Sequence, residues 1–108
     1  MSYKTYRSSG AAAISITVSP GEPWELEGIK VHLSAAGAAG NLTVTVDSAH
    51  GSAYNTVLFT QAMVGLTDVD KRWNPTQKFI SKNDKVVIAY TNTGSKTWGI
   101  EVTYKALG

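Results

Sequence analysis

The chain reads as a single all-β domain, an antiparallel sandwich of seven or eight strands, with a jelly roll as one way of winding it. Three observations lead there. Large apolar residues recur with period two in run after run, as on strands with one buried face. Turn residues punctuate these runs every 8–12 positions, the spacing of sandwiches and barrels. No segment carries helical periodicity: Ala11-Ala12-Ala13 runs straight into β-branched residues, and 61–66 has room for one turn at most.

The elements follow in order. Residues 1–10, MSYKTYRSSG, are polar, basic and without periodicity, and are expected to form an N-terminal arm ahead of a sandwich domain spanning 11–108. Ile14, Ile16 and Val18 alternate with Ser15 and Thr17 in the first strand. Ser19-Pro20-Gly21-Glu22-Pro23 ends it. In 24–34, Trp24 and Leu26 share one parity and Ile29, Val31 and Leu33 the other. Either a β-bulge at Gly28 reverses the facing, or two short strands meet there.

A small-residue loop with Gly37 and Gly40 leads to Leu42, Val44 and Val46, which alternate with threonines. The loop around Gly51 precedes expected strands near 55–61 and 67–73, and Asn74-Pro75-Thr76 is a further break. Val86, Ile88 and Tyr90 share one face, as do Trp98, Ile100, Val102 and Tyr104. Asn92-Thr93-Gly94-Ser95 between them is expected to be a tight hairpin connection.

Composition narrows the chemistry. With 108 residues, 43% hydrophobic and 17% charged, the chain has the makeup of one folded domain rather than a disordered segment. There is no cysteine, so disulfides, iron–sulfur clusters, cysteine-type zinc sites and thiol catalysis are excluded, and folding in a reducing compartment is favoured. A net charge of +2, with lysines and arginines scattered, offers no basic stripe for nucleic acid. No apolar h-region or membrane-length apolar run is present.

Catalytic and metal-binding motifs are missing as well. His32 sits opposite in parity to Val31 and Leu33 and is expected to face solvent or a partner; His50 lies in a loop. Neither has metal-ligand spacing. Asp47, His50 and a distant serine could in principle assemble a triad, but there is no Gly-x-Ser-x-Gly elbow. Glu22, Glu25 and Glu27, and Asp68 with Asp70, are expected on wet faces. No catalytic residue, cofactor or metal site is assigned.

Contact residues are the remaining candidates. Tyr3, Lys4, Tyr6 and Arg7 in the arm are of the types that interfaces favour, and docking on a neighbouring subunit would order them; a frayed terminus is the plain alternative. Trp73 and Trp24 are candidates for a surface aromatic contact, such as stacking on sugar rings. For Trp98 and Tyr90, on the parities of Ile100 and Ile88, the core is the expected place.

The run Pro23-Trp24-Glu25-Leu26-Glu27, then Ile29 through Ser34 (IKVHLS), then Phe79 through Ile88 (FISKNDKVVI), and the closing Tyr90-Thr91-Asn92-Thr93 and Trp98-Gly99-Ile100-Glu101-Val102 together resemble the small β-sandwich accessory proteins of tailed-bacteriophage virions. The resemblance is to the capsid decoration, cement or stapling type. It implies a non-enzymatic structural protein, made in the host cytoplasm and carried on the virion. Its partners would be the major capsid protein or other virion proteins. A homodimer or homotrimer is expected because assemblies usually close by symmetry, no membrane partner is expected, and the scattered basic residues argue against nucleic acid. The alternative is a carbohydrate-binding or host-recognition module of a phage tail or fibre.

Overall fold

The computed structural model describes residues 2–73 and 78–107. Nine strands are present among them: β1 (Ser2–Gly10), β2 (Ile14–Val18), β3 (Trp24–Leu33), β4 (Asn41–Asp47), β5 (Thr56–Ala62), β6 (Asp68–Arg72), β7 (Lys78–Ile80), β8 (Lys85–Tyr90) and β9 (Trp98–Ala106). The helical content of the described residues is one 3-10 turn at Ser52–Tyr54.

Two antiparallel sheets face each other. One has the order β1-β9-β3-β6, with β7 pairing β3 beyond the end of β6; the other has the order β2-β8-β4-β5. The fold is an all-β antiparallel sandwich compatible with a jelly roll. Between the sheets, alternate residues of each strand close one core: Ile14, Ile16 and Val18 of β2, Leu42 and Val44 of β4, Val86, Ile88 and Tyr90 of β8, against Leu26, Ile29, Val31 and Leu33 of β3 and Ile100 and Val102 of β9. This is the period-two pattern of the sequence made solid, each face removed from water stabilising the fold by roughly 25 cal/mol per Å² of apolar surface.

Within β3 the parity switch is a bulge in one continuous strand. Leu26 pairs with Tyr104 and Gly28 with Thr103, so Glu27 is the extra residue. Gly28 is required there by close approach, because a Cβ would lie 2.7 Å from Arg72 Cδ and 2.8 Å from the Lys71 carbonyl oxygen.

Two expectations are corrected. Residues 2–10 are not an arm preceding the first strand but the strand β1, paired along its length with β9 from Ser2↔Ala106 to Gly10↔Trp98. It sits at the sheet margin, where most of its side chains stay exposed, and so it carries no apolar alternation. Secondly, β8 and β9 do not form a hairpin; they belong to opposite sheets, and residues 91–97 cross between them. Asn92 holds this crossing: its φ is 53°, its side chain is buried, and its Nδ2 donates to the carbonyls of Ala11 (3.3 Å), Ala12 (2.9 Å) and Lys96 (2.9 Å). The sandwich itself is as expected; among the described residues its strands number nine when the three-residue β7 is included. The break at Asn74-Pro75-Thr76 lies outside the described residues.

A candidate contact face on the outer wall of the five-stranded sheet

The register of the larger sheet lays its outward side chains out in rows. Arg7 of β1 pairs with Glu101 of β9, Glu101 with Lys30 of β3, and Lys30 with Asp70 of β6. A single row across four strands therefore alternates positive, negative, positive, negative. Paired residues in an antiparallel sheet stand about 5 Å apart on the same face, so opposite charges in such a row attract and like charges would repel. The neighbouring row is Ser9, Gly99, His32 and Asp68. The next one in the other direction is Thr5, Thr103, Gly28 and Arg72.

These rows form the walls of a shallow depression of about 730 Å³. Its rim includes Arg7, Lys30 and Glu101 on one side and His32 and Asp68 on another. Gly99 forms part of the floor, and a Cβ added there would meet no atom within 4 Å. A strand interior normally gains from a side chain that packs on its neighbours, so a glycine with free space above it leaves a hollow in the middle of the wall.

The ions are paired but wet. Arg7 Nε donates to Glu101 Oε2 at 2.6 Å, and Lys30 Nζ lies 3.8 Å from Glu101 Oε1. Arg72 Nε donates to Asp70 Oδ1 at 3.0 Å. The Arg7 hydrogen bond, then the charges of Arg7, Lys30 and Arg72, hold the Glu101 carboxyl below its ordinary range. Asp68 is also held low, first by the hydrogen bond with His32, then by one from Thr67. His32 Nδ1 and Asp68 Oδ1 are 2.7 Å apart, and Thr67 Oγ1 donates to Asp68 Oδ2 at 2.9 Å. Exposed pairs of this kind contribute little to stability, because water and salt screen them. Their larger effect is to fix a charge pattern that a partner surface can match.

The residues singled out in the sequence fall as follows. Tyr3, Lys4, Tyr6 and Arg7 are all exposed on β1, with Tyr3 and Arg7 on the outer wall and Lys4 and Tyr6 on the opposite parity. Lys105 Nζ sits 5.6 Å from the Tyr3 ring. Arg7 belongs to the charged row, and the other three lie beside it on the same strand. Trp24 and Trp73 are not surface aromatics. Trp24 is 0% exposed and packs edge-on against Tyr104 at 5.2 Å, while Trp73 is 7% exposed beneath the Lys71 ammonium. Their parity with Leu26 and Val69 was the available signal for burial. Trp98 and Tyr90 are in the core, and Trp98 Nε1 donates to the Ala12 carbonyl.

His32 is exposed, as its parity indicates, and so are Asp68 and Asp70. Their convergence was not legible: His32 and Asp68 are 36 positions apart and meet through the β3–β6 register. Asp47 ends β4 opposite Lys85, and the His50 ring lies against Tyr54, so neither is part of the depression. Among the described residues no group of three or more His, Cys, Asp or Glu is arranged to hold a metal ion. No helix of the described residues is long and apolar enough to cross a membrane.

No protein-family model and no curated protein matches the chain. Among solved structures it is similar to the core of Drosophila NLP, whose crystal structure addresses pentamer formation and histone binding. That likeness has a TM-score of 0.48 at 17% identity, over 93% of this chain and 96% of the other. It is also similar to infectious bursal disease virus, Gx strain, with a TM-score of 0.37 and 15% identity over 99% of this chain; it spans about a third of that chain (33%). These are likenesses of shape at low identity, and no residue role is taken from either.

Proposed function

We propose that the protein is a non-enzymatic structural component of a virion that decorates the outer shell of a capsid and stabilises it through protein–protein contacts. Its partner is the major capsid protein or a neighbouring virion protein, it works as a small homo-oligomer, and it is made in the host cytoplasm before joining the particle. The observation that carries this reading is the row Arg7, Glu101, Lys30, Asp70 laid across the wall beside an open depression. A broad, shallow, charge-patterned wall suits a protein surface better than a small molecule, which sites enclose much more deeply. Many copies, each making a modest contact on a symmetric shell, attach strongly through avidity. The resemblance of the chain to phage accessory proteins points the same way.

The carbohydrate-module reading loses its motive, since Trp24 and Trp73, the rings that would have stacked on sugars, are inside the sandwich. Electron microscopy of the parent particle, with and without the gene for this chain, tests the proposal. Extra density on the shell and a drop in the particle's thermal stability on deletion are expected. A particle unchanged in both respects would refute it.

A further inference from the structure

We infer that copies of this chain associate head to tail, the β1 margin of one against the β6 margin of the next, so that the larger sheet runs on from subunit to subunit. The argument begins with the free edges. Among the described residues no strand pairs with β1 on the side away from β9, nor with β6 on the side away from β3. Such margins present unpaired backbone donors and acceptors, which another strand can satisfy. All pairs along β1-β9-β3-β6 are antiparallel, so β6 runs opposite to β1. A second copy placed alongside in the same orientation therefore offers its β1 antiparallel to β6, the geometry already used throughout the sheet.

Charge selects this pairing. In the register that continues the rows, Arg7 of one copy meets Asp70 of the next, Ser9 meets Asp68, and Thr5 meets Arg72. The alternation of the central row is then unbroken across the junction, and no like charges are opposed. The smaller sheet is compatible with the same arrangement. β1 lies beside β2, since Tyr6, Thr17 and Val18 line one crevice, and β6 lies beside β5, since Lys71 Nζ is 5.8 Å from the Phe59 ring. The β1 flank thus carries the free edge of β2, and the β6 flank that of β5. Neither β2 (ISITV) nor β5 (TVLFTQA) holds a charged residue, and Val57 of β5 is 59% exposed. Joining the flanks covers these unguarded edges. Because the two surfaces differ, the contact closes into a ring or grows as a chain, and a two-fold dimer is excluded.

The association is a property of the purified chain alone, so its failure would leave shell decoration standing, and the reverse holds too. Native mass spectrometry and analytical ultracentrifugation of the full chain, from micromolar to millimolar concentration, read it directly. Multimers that weaken with salt are expected. Arg7→Glu and Asp70→Lys should each raise the dissociation constant about tenfold or more, and the double variant, with the charges exchanged, should recover most of the loss. Melting curves establish that each variant is folded. For the wild type, amide exchange supplies a second reading: outward amides of β1 and β6 gain protection as concentration rises. A chain that stays monomeric, a two-fold dimer, or multimers indifferent to both charge reversals would overturn the inference, as would singles that disrupt assembly with no recovery in the double.

Discussion

Replacing Gly99 by valine separates folding from contact. Gly99 lies inside β9, directly opposite Ser9 on one side and His32 on the other, with nothing within 4 Å of the position its Cβ would take. Its φ is not in the left-handed region, so a side chain brings no backbone strain. Glycine inside a strand costs about 0.5–1 kcal/mol relative to a residue with a side chain, and β-branched residues sit at the favourable end of a scale about 1 kcal/mol wide. Gly99→Val should therefore stabilise the protein by about 0.5–1 kcal/mol, a rise of roughly 2–8 °C in melting midpoint for a domain this size. The same methyl groups fill the floor of the depression and should abolish attachment to the shell. Thermal denaturation and co-sedimentation with stripped particles measure the two effects. A Gly99→Val protein that is less stable than the parent, or that binds particles as well as the parent, would refute the reasoning about this wall.

Gly28, in the same sheet, should respond with the opposite sign. A Cβ there lies 2.7 Å from Arg72 Cδ and 2.8 Å from the Lys71 oxygen, so Gly28→Ala must push β6 away and should cost about 1–3 kcal/mol in chemical denaturation. Asn92→Ala should cost about 2–4 kcal/mol, because it removes the hydrogen bonds to Ala11, Ala12 and Lys96 and places an alanine at a φ of 53°; Asn92→Gly, which relieves the backbone but not the bonds, should recover a part of that loss. Asp68 and Glu101 have folded-state pKa values below their ordinary ones, so the stability they add is present above the ordinary carboxylate range and is lost as pH falls through the lowered values. Melting midpoints should accordingly hold steady from neutral pH to about 5 and decline below about 4, and Asp68→Asn with Glu101→Gln should flatten that decline.

The sandwich was legible where a strand buries one face. Ile14, Ile16 and Val18 read directly as inward residues, and the change of parity at Gly28 pointed either to a bulge or to two strands meeting there, a choice that only the pairing register of β3 with β9 decides. Strands with no buried face leave no such trace. β1 has Tyr3, Thr5 and Arg7 facing out, while Lys4, Tyr6 and Ser8 face a margin that is incompletely covered, so neither parity is apolar. β7 is too short, at three residues, to show a period. The crossing after β8 carries glycine and asparagine as a hairpin would, and the local residues hold nothing to show that β9 joins the other sheet. The contact face is legible one residue at a time: Arg7 is of a type that interfaces favour, His32 has the parity of a residue facing solvent or a partner, and Asp68 and Asp70 read as a wet face. Their assembly into rows depends on pairings between strands tens of residues apart, a long-range property that no local pattern encodes.

Everything assigned to the wall requires β1 to be a strand of the sheet, since it contributes Arg7 and Ser9. Residue-resolved amide hydrogen exchange on the dilute chain tests this directly. Alternate amides between Tyr3 and Ser9, those turned toward β9, should exchange far more slowly than their neighbours, and deleting residues 1–10 should expose the matching groups of β9 to fast exchange. Exchange of all the amides from Tyr3 to Ser9 at the rate of an unstructured chain would contradict the account.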